Sequence, residues 1–143
     1  MGVVIGPRVI NAGLSLRLVL VSPVAVAAGY PSPAQDYFDG RIDLNEHLIK
    51  DITSTFVVRV TGDSMERAGI SDGDELIVNR ALEPRDGSVV IAVLDGELTV
   101  KRLRITATGV VLQAENPRYP DICVPGLSEL TIWGVATTCL HHV

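Results

Sequence analysis

The sequence predicts an all-β, β-rich domain with one short helix, preceded by an extended amino-terminal arm. Three observations carry that prediction. The chain of 143 residues is 47% hydrophobic, and its aliphatic residues are mostly Val, Ile and Leu, which pack well on pleated surfaces. Apolar runs of strand length recur from Thr55 to Leu140. Between them stand turn signals at regular spacing: Asp72-Gly73-Asp74, Pro84-Arg85-Asp86-Gly87, Asp95-Gly96 and Asn116-Pro117.

The runs that read as strands are Thr55 to Val60, Glu75 to Asn79, Ser88 to Leu94, Glu97 to Arg102, Gly109 to Ala114 and Leu130 to Leu140. Asp95-Gly96, flanked by two of them, is the strongest hairpin signal and puts Lys101 on the second arm of that hairpin. Ahead of the strands, Asp43-Leu44-Asn45-Glu46 has a side-chain acceptor followed three residues later by a carboxylate. That pattern starts a helix running to about Lys50, with Leu44, Leu48 and Ile49 as its apolar stripe.

Residues 1–40 read as an arm and residues 41–143 as the domain, because Pro7, Pro23, Pro31 and Pro33 oppose any regular packed element. The apolar stretch Leu18 to Ala28 is expected to lie extended across a groove or to pair with a partner chain. It superficially resembles an export signal. However, the first seven residues carry no Lys or Arg, Pro23 interrupts the run, and no run reaches the roughly 18 residues a membrane span needs. No membrane association is expected.

A formal charge of -5 excludes a surface that neutralises DNA phosphates by itself, so no direct DNA binding is expected. Any link to nucleic acid runs through a partner protein. Cys123 and Cys139 lie in separate apolar stretches without a CxxC or Cys/His pattern, which reads as two reduced core thiols in a cytoplasmic protein. Neither a metal nor a cofactor is expected, and no glycine-rich phosphate loop is present. The aliphatic arm and the stretch Leu130 to Leu140 offer more apolar surface than one small domain covers, which predicts a homodimer.

Thr61-Gly62-Asp63-Ser64-Met65 follows an apolar strand and precedes Glu66 to Gly69, enough for one helical turn. A serine at such a junction can present its hydroxyl beside backbone N–H groups, as an acyl-transfer nucleophile requires. Alone the signal is weak, since Gly-Asp-Ser is more often a solvated turn. Lys101 also has two readings. By strand alternation it shares a face with Thr99 and Leu103, where it is either a solvated edge-strand residue or, if buried, an amine whose depressed pKa makes it a general base. Of the three histidines, His47 belongs to the helix and His141 and His142 lie in a tail expected to fray, which disfavours a Ser/His/Asp triad.

Several stretches together resemble the UmuD branch of the LexA-type Ser/Lys self-cleaving peptidases. They are Ala28-Gly29-Tyr30-Pro31-Ser32-Pro33-Ala34-Gln35-Asp36-Tyr37, Arg41-Ile42-Asp43-Leu44-Asn45, Gly62-Asp63-Ser64-Met65 with Gly69-Ile70-Ser71-Asp72-Gly73-Asp74, and Asp95-Gly96-Glu97-Leu98-Thr99-Val100-Lys101-Arg102-Leu103. Asn116-Pro117-Arg118-Tyr119 and Trp133-Gly134-Val135 extend the resemblance, which covers about residue 24 to the end.

The resemblance implies a β-clip fold, Ser64 as nucleophile, Lys101 as the neutral amine that takes its proton, and backbone amides near Asp63 and Ser64 as oxyanion hole. It also implies scission between Ala28 and Gly29, where UmuD-type chains often carry Cys before the Gly and LexA-type chains carry Ala. Its partners would be a recombinase (RecA-type) filament on single-stranded DNA as activator and a Y-family DNA polymerase catalytic subunit. Two rival enzymes are weighed. A LexA-like repressor needs a winged helix-turn-helix, and the 28 residues before the cut, with only Arg8 and Arg17 basic, do not supply one. A signal-peptidase-like Ser/Lys protease needs a membrane anchor. A β-rich adaptor that has lost cleavage is the non-enzymatic alternative.

Overall fold

The computed structural model describes residues 3–9, 18–20, 41–49, 53–124, 126 and 130–143. In chain order the strands are β1 (Val3–Val9), β2 (Leu18–Leu20), β3 (Arg41–Asp43), β4 (Thr55–Thr61), β5 (Glu75–Asn79), β6 (Val89–Leu94), β7 (Glu97–Thr106), β8 (Gly109–Gln113), β9 (Ile122–Val124) and β10 (Thr131–Leu140). One α-helix, α1 (Leu44–Leu48), and a 3-10 turn at Glu66–Ala68 complete the described elements. The chain forms two compact units, Met1–Ile10 with Asp51–Val143, and Asn11–Lys50.

In the smaller unit β2 pairs antiparallel with β3, Leu18 facing Asp43, and α1 follows β3 directly. The helix is found where the capping pattern put it, but it spans five residues, and Leu44 of its expected apolar stripe is 47% exposed.

The larger unit is an antiparallel sheet of eight strands in the order β1-β4-β5-β10-β6-β7-β8-β9. Val3 of β1 faces Thr61 of β4 and also Thr99 of β7, so the run of strands from β4 round to β7 returns to β1. Every strand expected from alternation is present. Asp95 and Gly96 both adopt positive φ, 51° and 79°, the pair of left-handed residues whose twist suits a two-residue hairpin between β6 and β7.

Some expectations need correction. The prolines led to an arm without regular elements, yet β1 and β2 are strands. The ladder of β1 on β4 slips between Ile5 and Pro7, the kind of irregularity at which a proline is tolerated in a strand. β9 was not expected, being three residues long between Pro120 and Pro125. Cys123, read as a core thiol, is exposed.

β6 supplies Ile91 to one buried cluster, with Val58, Val60, Met65 and Val100, and Val90 and Ala92 to another, with Leu103 and Leu112. A strand buried on both faces reads as a continuous apolar run, which is what Val89–Leu94 shows.

Candidate active site

Ser64 lies just beyond the end of β4, in the link that enters the 3-10 turn. Gly62 makes the bend at φ 88°, a conformation unstrained only for glycine, and its N–H donates to Asp72 Oδ1 at 2.8 Å. The N–H of Glu66 then donates to the Asp63 carbonyl at 3.2 Å and that of Ala68 to the Met65 carbonyl at 3.0 Å. Ser64 is 0% exposed.

Lys101 stands on β7, between β6, where its register partner is Val90, and β8, which pairs from Arg102 onward. It is 1% exposed, and its Nζ has no hydrogen-bond partner among the described residues. The solvated edge-strand reading of Lys101 is therefore excluded. Burial alone holds its pKa below the ordinary 10.5, because an ammonium without water or a counter-charge is the disfavoured form. Met65 and Val100, the chain neighbours of Ser64 and Lys101, belong to the same buried cluster, which packs the two segments against each other.

A third segment, unassigned from sequence, joins them. The turn Asn116 to Tyr119 is closed by the Tyr119 N–H on the Asn116 carbonyl at 3.0 Å and by the Arg118 N–H on Asn116 Oδ1 at 3.0 Å. From this turn Asn116 Nδ2 donates to the Asp63 carbonyl at 2.9 Å and the Tyr119 hydroxyl donates to Asp63 Oδ1 at 2.5 Å. The Arg118 guanidinium pairs with Asp63 Oδ2. The Tyr119 hydroxyl first, with Arg118 and the Asp63 N–H assisting against burial, holds the Asp63 carboxyl below its usual range. The same bond pushes the Tyr119 phenol up, so it remains a donor. The ring of Tyr119 faces the Lys101 amine, 5.9 Å from its centroid to Nζ.

The site thus holds a sealed serine at a bent backbone, and a buried amine whose pKa burial holds below the ordinary lysine value. Asp63, Ser64 and Lys101 occupy the two segments this arrangement brings together; Ala28 and Gly29 lie outside the described residues. In the sequence Asn116-Pro117 reads as a turn and Asn116 to Tyr119 as part of the family resemblance, without a role, since no local signal says which loop a turn faces. His141, expected to lie in a frayed tail, contacts the buried carboxylate of Asp74. Among the described residues no group of His, Cys, Asp and Glu is arranged to hold a metal. No described helix is long and apolar enough to cross a membrane.

The family model of Peptidase S24-like proteins matches residues 19–137. The chain belongs to that family. Among its relatives, protein SamA of Salmonella typhimurium is 44% identical over 114 residues, 80% of this chain and 79% of that protein. Protein ImpA of Escherichia coli is 40% identical over 116 residues, 80% of this chain and 78% of ImpA. The LexA repressor of Delftia acidovorans is 45% identical over 131 residues, which is 90% of this chain and 58% of the repressor. This Peptidase S24-like chain is accordingly a member of a self-cleaving peptidase family, and its strand-rich architecture agrees with that membership.

Proposed function

We propose that this chain is a self-cleaving serine endopeptidase with a Ser64/Lys101 dyad that cuts its own arm between Ala28 and Gly29. The observation that carries the reading is the Lys101 amine: buried, without a hydrogen-bond partner among the described residues, and in the core shared with the Ser64 turn. A lysine kept in that state is expensive for the fold and useful as a base.

In this reading Lys101 takes the proton of Ser64 Oγ as the oxygen attacks the Ala28 carbonyl carbon, and backbone N–H groups of Asp63 and Ser64 hold the oxyanion. Collapse breaks the bond to Gly29, whose amine receives the proton from Lys101. Water, deprotonated by the same amine, then hydrolyses the ester on Ser64. A tethered substrate raises effective concentration, so control falls on seating the arm.

Residues 29–143 would then serve a Y-family polymerase in copying damaged DNA in the cytoplasm. The chain acts as a homodimer, and a RecA-type filament on single-stranded DNA promotes the cut. The likeness to SamA and ImpA and the acidic charge support a role exercised through protein contacts. The LexA match over 90% of the chain supports a second reading, the peptidase domain of a repressor. Intact mass before and after incubation, with and without the filament, tests cleavage. A product beginning at Gly29 in the wild type and its absence in Ser64→Ala is expected; the same product in Ser64→Ala overturns the dyad. Operator-type DNA binding by the purified chain would favour the repressor reading.

A further inference from the structure

Asp63 is gripped by one short turn at both its main chain and its side chain. Its carbonyl accepts from Asn116 Nδ2 at 2.9 Å, and its carboxylate accepts from Tyr119 and Arg118. Asn116 is 5% exposed, and the N–H of Arg67 donates to the Glu115 carbonyl at 2.9 Å, so the same segment also reaches the 3-10 turn. All described peptide bonds are trans, so carbonyl and N–H of the Asp63–Ser64 peptide point in opposite directions. With the carbonyl fixed toward Asn116, the Ser64 N–H is aimed away from the 116–119 turn.

The residue that sets Asp63 also touches the amine. Tyr119 donates its hydroxyl to Asp63 and turns its ring toward Lys101 Nζ. Across the strand stands Val90 of β6, from the turn comes the Tyr119 ring, and behind the hydroxyl stand Asp63 and Arg118, paired with each other. No described ion pair includes Lys101. The Asp63 carboxylate, the anion nearest along this chain of contacts, has its charge taken up by Arg118.

We infer that Tyr119 is a positioning residue for both halves of the dyad: its hydroxyl holds the side chain of Asp63, whose peptide to Ser64 is held by Asn116, and its ring walls the Lys101 amine from water. The inference rests on the Ser64/Lys101 reading. It separates two functions of one side chain, which two substitutions resolve. Tyr119→Phe removes the hydroxyl and keeps the wall. Tyr119→Ala removes both and admits water to the amine.

The test is the rate of self-cleavage, read by intact mass from about pH 6 to about pH 10, for wild type, Tyr119→Phe, Tyr119→Ala and Ser64→Ala. Tyr119→Phe is expected to cut roughly tenfold more slowly, the loss of one charge-assisted hydrogen bond, with the midpoint of its alkaline rise unmoved. In Tyr119→Ala that midpoint moves up toward the ordinary lysine value of 10.5, with the melting temperature checked to show that the domain stays folded. Wild-type rates in Tyr119→Phe, or a slowed Tyr119→Ala with an unmoved midpoint, overturn the inference. If Ser64→Ala also cuts, the dyad itself fails; if Ser64→Ala is inert while both Tyr119 variants behave as wild type, only the role of Tyr119 fails.

Discussion

The His141 imidazole lies 2.6 Å from the carboxylate of Asp74, tying the chain just past β10 to the turn that leads into β5. The same carboxylate accepts from the Ser71 N–H at 2.8 Å and from Cys139 Sγ at 3.3 Å. Burial pulls the Asp74 pKa upward, but the Ser71 N–H, His141 and Cys139 outweigh it, and the net displacement is downward. Asp74→Asn is expected to lower stability by about 2 kcal/mol near neutrality, measured by denaturant unfolding. A depressed folded-state pKa means that this stability is present above the ordinary 3.8 and is lost as pH falls through the lower folded value. The gap between wild type and Asp74→Asn should therefore close in acid.

Lys101 burdens the fold that houses it. Replacing the amine by a thioether of similar volume, Lys101→Met, should abolish cleavage and raise stability by about 1–3 kcal/mol at neutral pH. The folded pKa lies below 10.5, so the folded state binds fewer protons than the unfolded chain between the two values, and stability climbs with pH across that window. The penalty is complete below the folded pKa and absent above 10.5. Melting temperatures of the two proteins should converge toward the alkaline end, and a Lys101→Met variant less stable than wild type at neutrality would refute the uncompensated amine.

The two thiols should differ in reactivity. Burial, with Asp74 beside it, pushes the Cys139 thiol up to about 11, whereas Cys123 is exposed. Thiolate is the reactive form, so iodoacetamide at neutral pH should label Cys123 well before Cys139 in the native protein, as peptide mapping reads directly.

Gly134 marks a close approach in β10. A Cβ there would stand 2.5 Å from Val78 Cγ1 and 3.5 Å from the Asn79 carbonyl, and Val78 is 0% exposed. Gly134→Ala should cost about 1–3 kcal/mol from overpacking, and adding Val78→Ala should recover part of that loss.

Much of this molecule was legible in its sequence because its signals are local. Alternation located β4, β5, β6, β7, β8 and β10, and Asp95-Gly96 marked the hairpin that carries Lys101. Residue chemistry alone left Ser64 a weak candidate and Lys101 with two readings, and it was the family resemblance that gave each a proposed role. What escaped was set by sheet order. Asn116, Arg118 and Tyr119 reach Asp63 across 53, 55 and 56 positions of sequence, and no pattern in either loop announces its partner. The burial of Lys101 depends on the strands packed round β7, and the anchoring of His141 on a carboxylate 67 positions away. β1 was hidden by Pro7, a residue that argues against a strand unless a bulge absorbs it.

β1 also bears on what scission accomplishes. Its ladder on β4 runs from Val3 opposite Thr61 to Val9 opposite Phe56, and Val3 also meets Thr99 of β7. None of those backbone bonds involves the peptide link proposed to break at Ala28. Cutting there would convert one polypeptide into a nicked pair in which the short piece stays as a guest strand on β4, the strand that leads to Ser64, and meets β7, the strand that bears Lys101, at Val3. Severing and eviction thus become separate events with separate clocks. A denaturing gel times the first, and gel filtration under native conditions times the second.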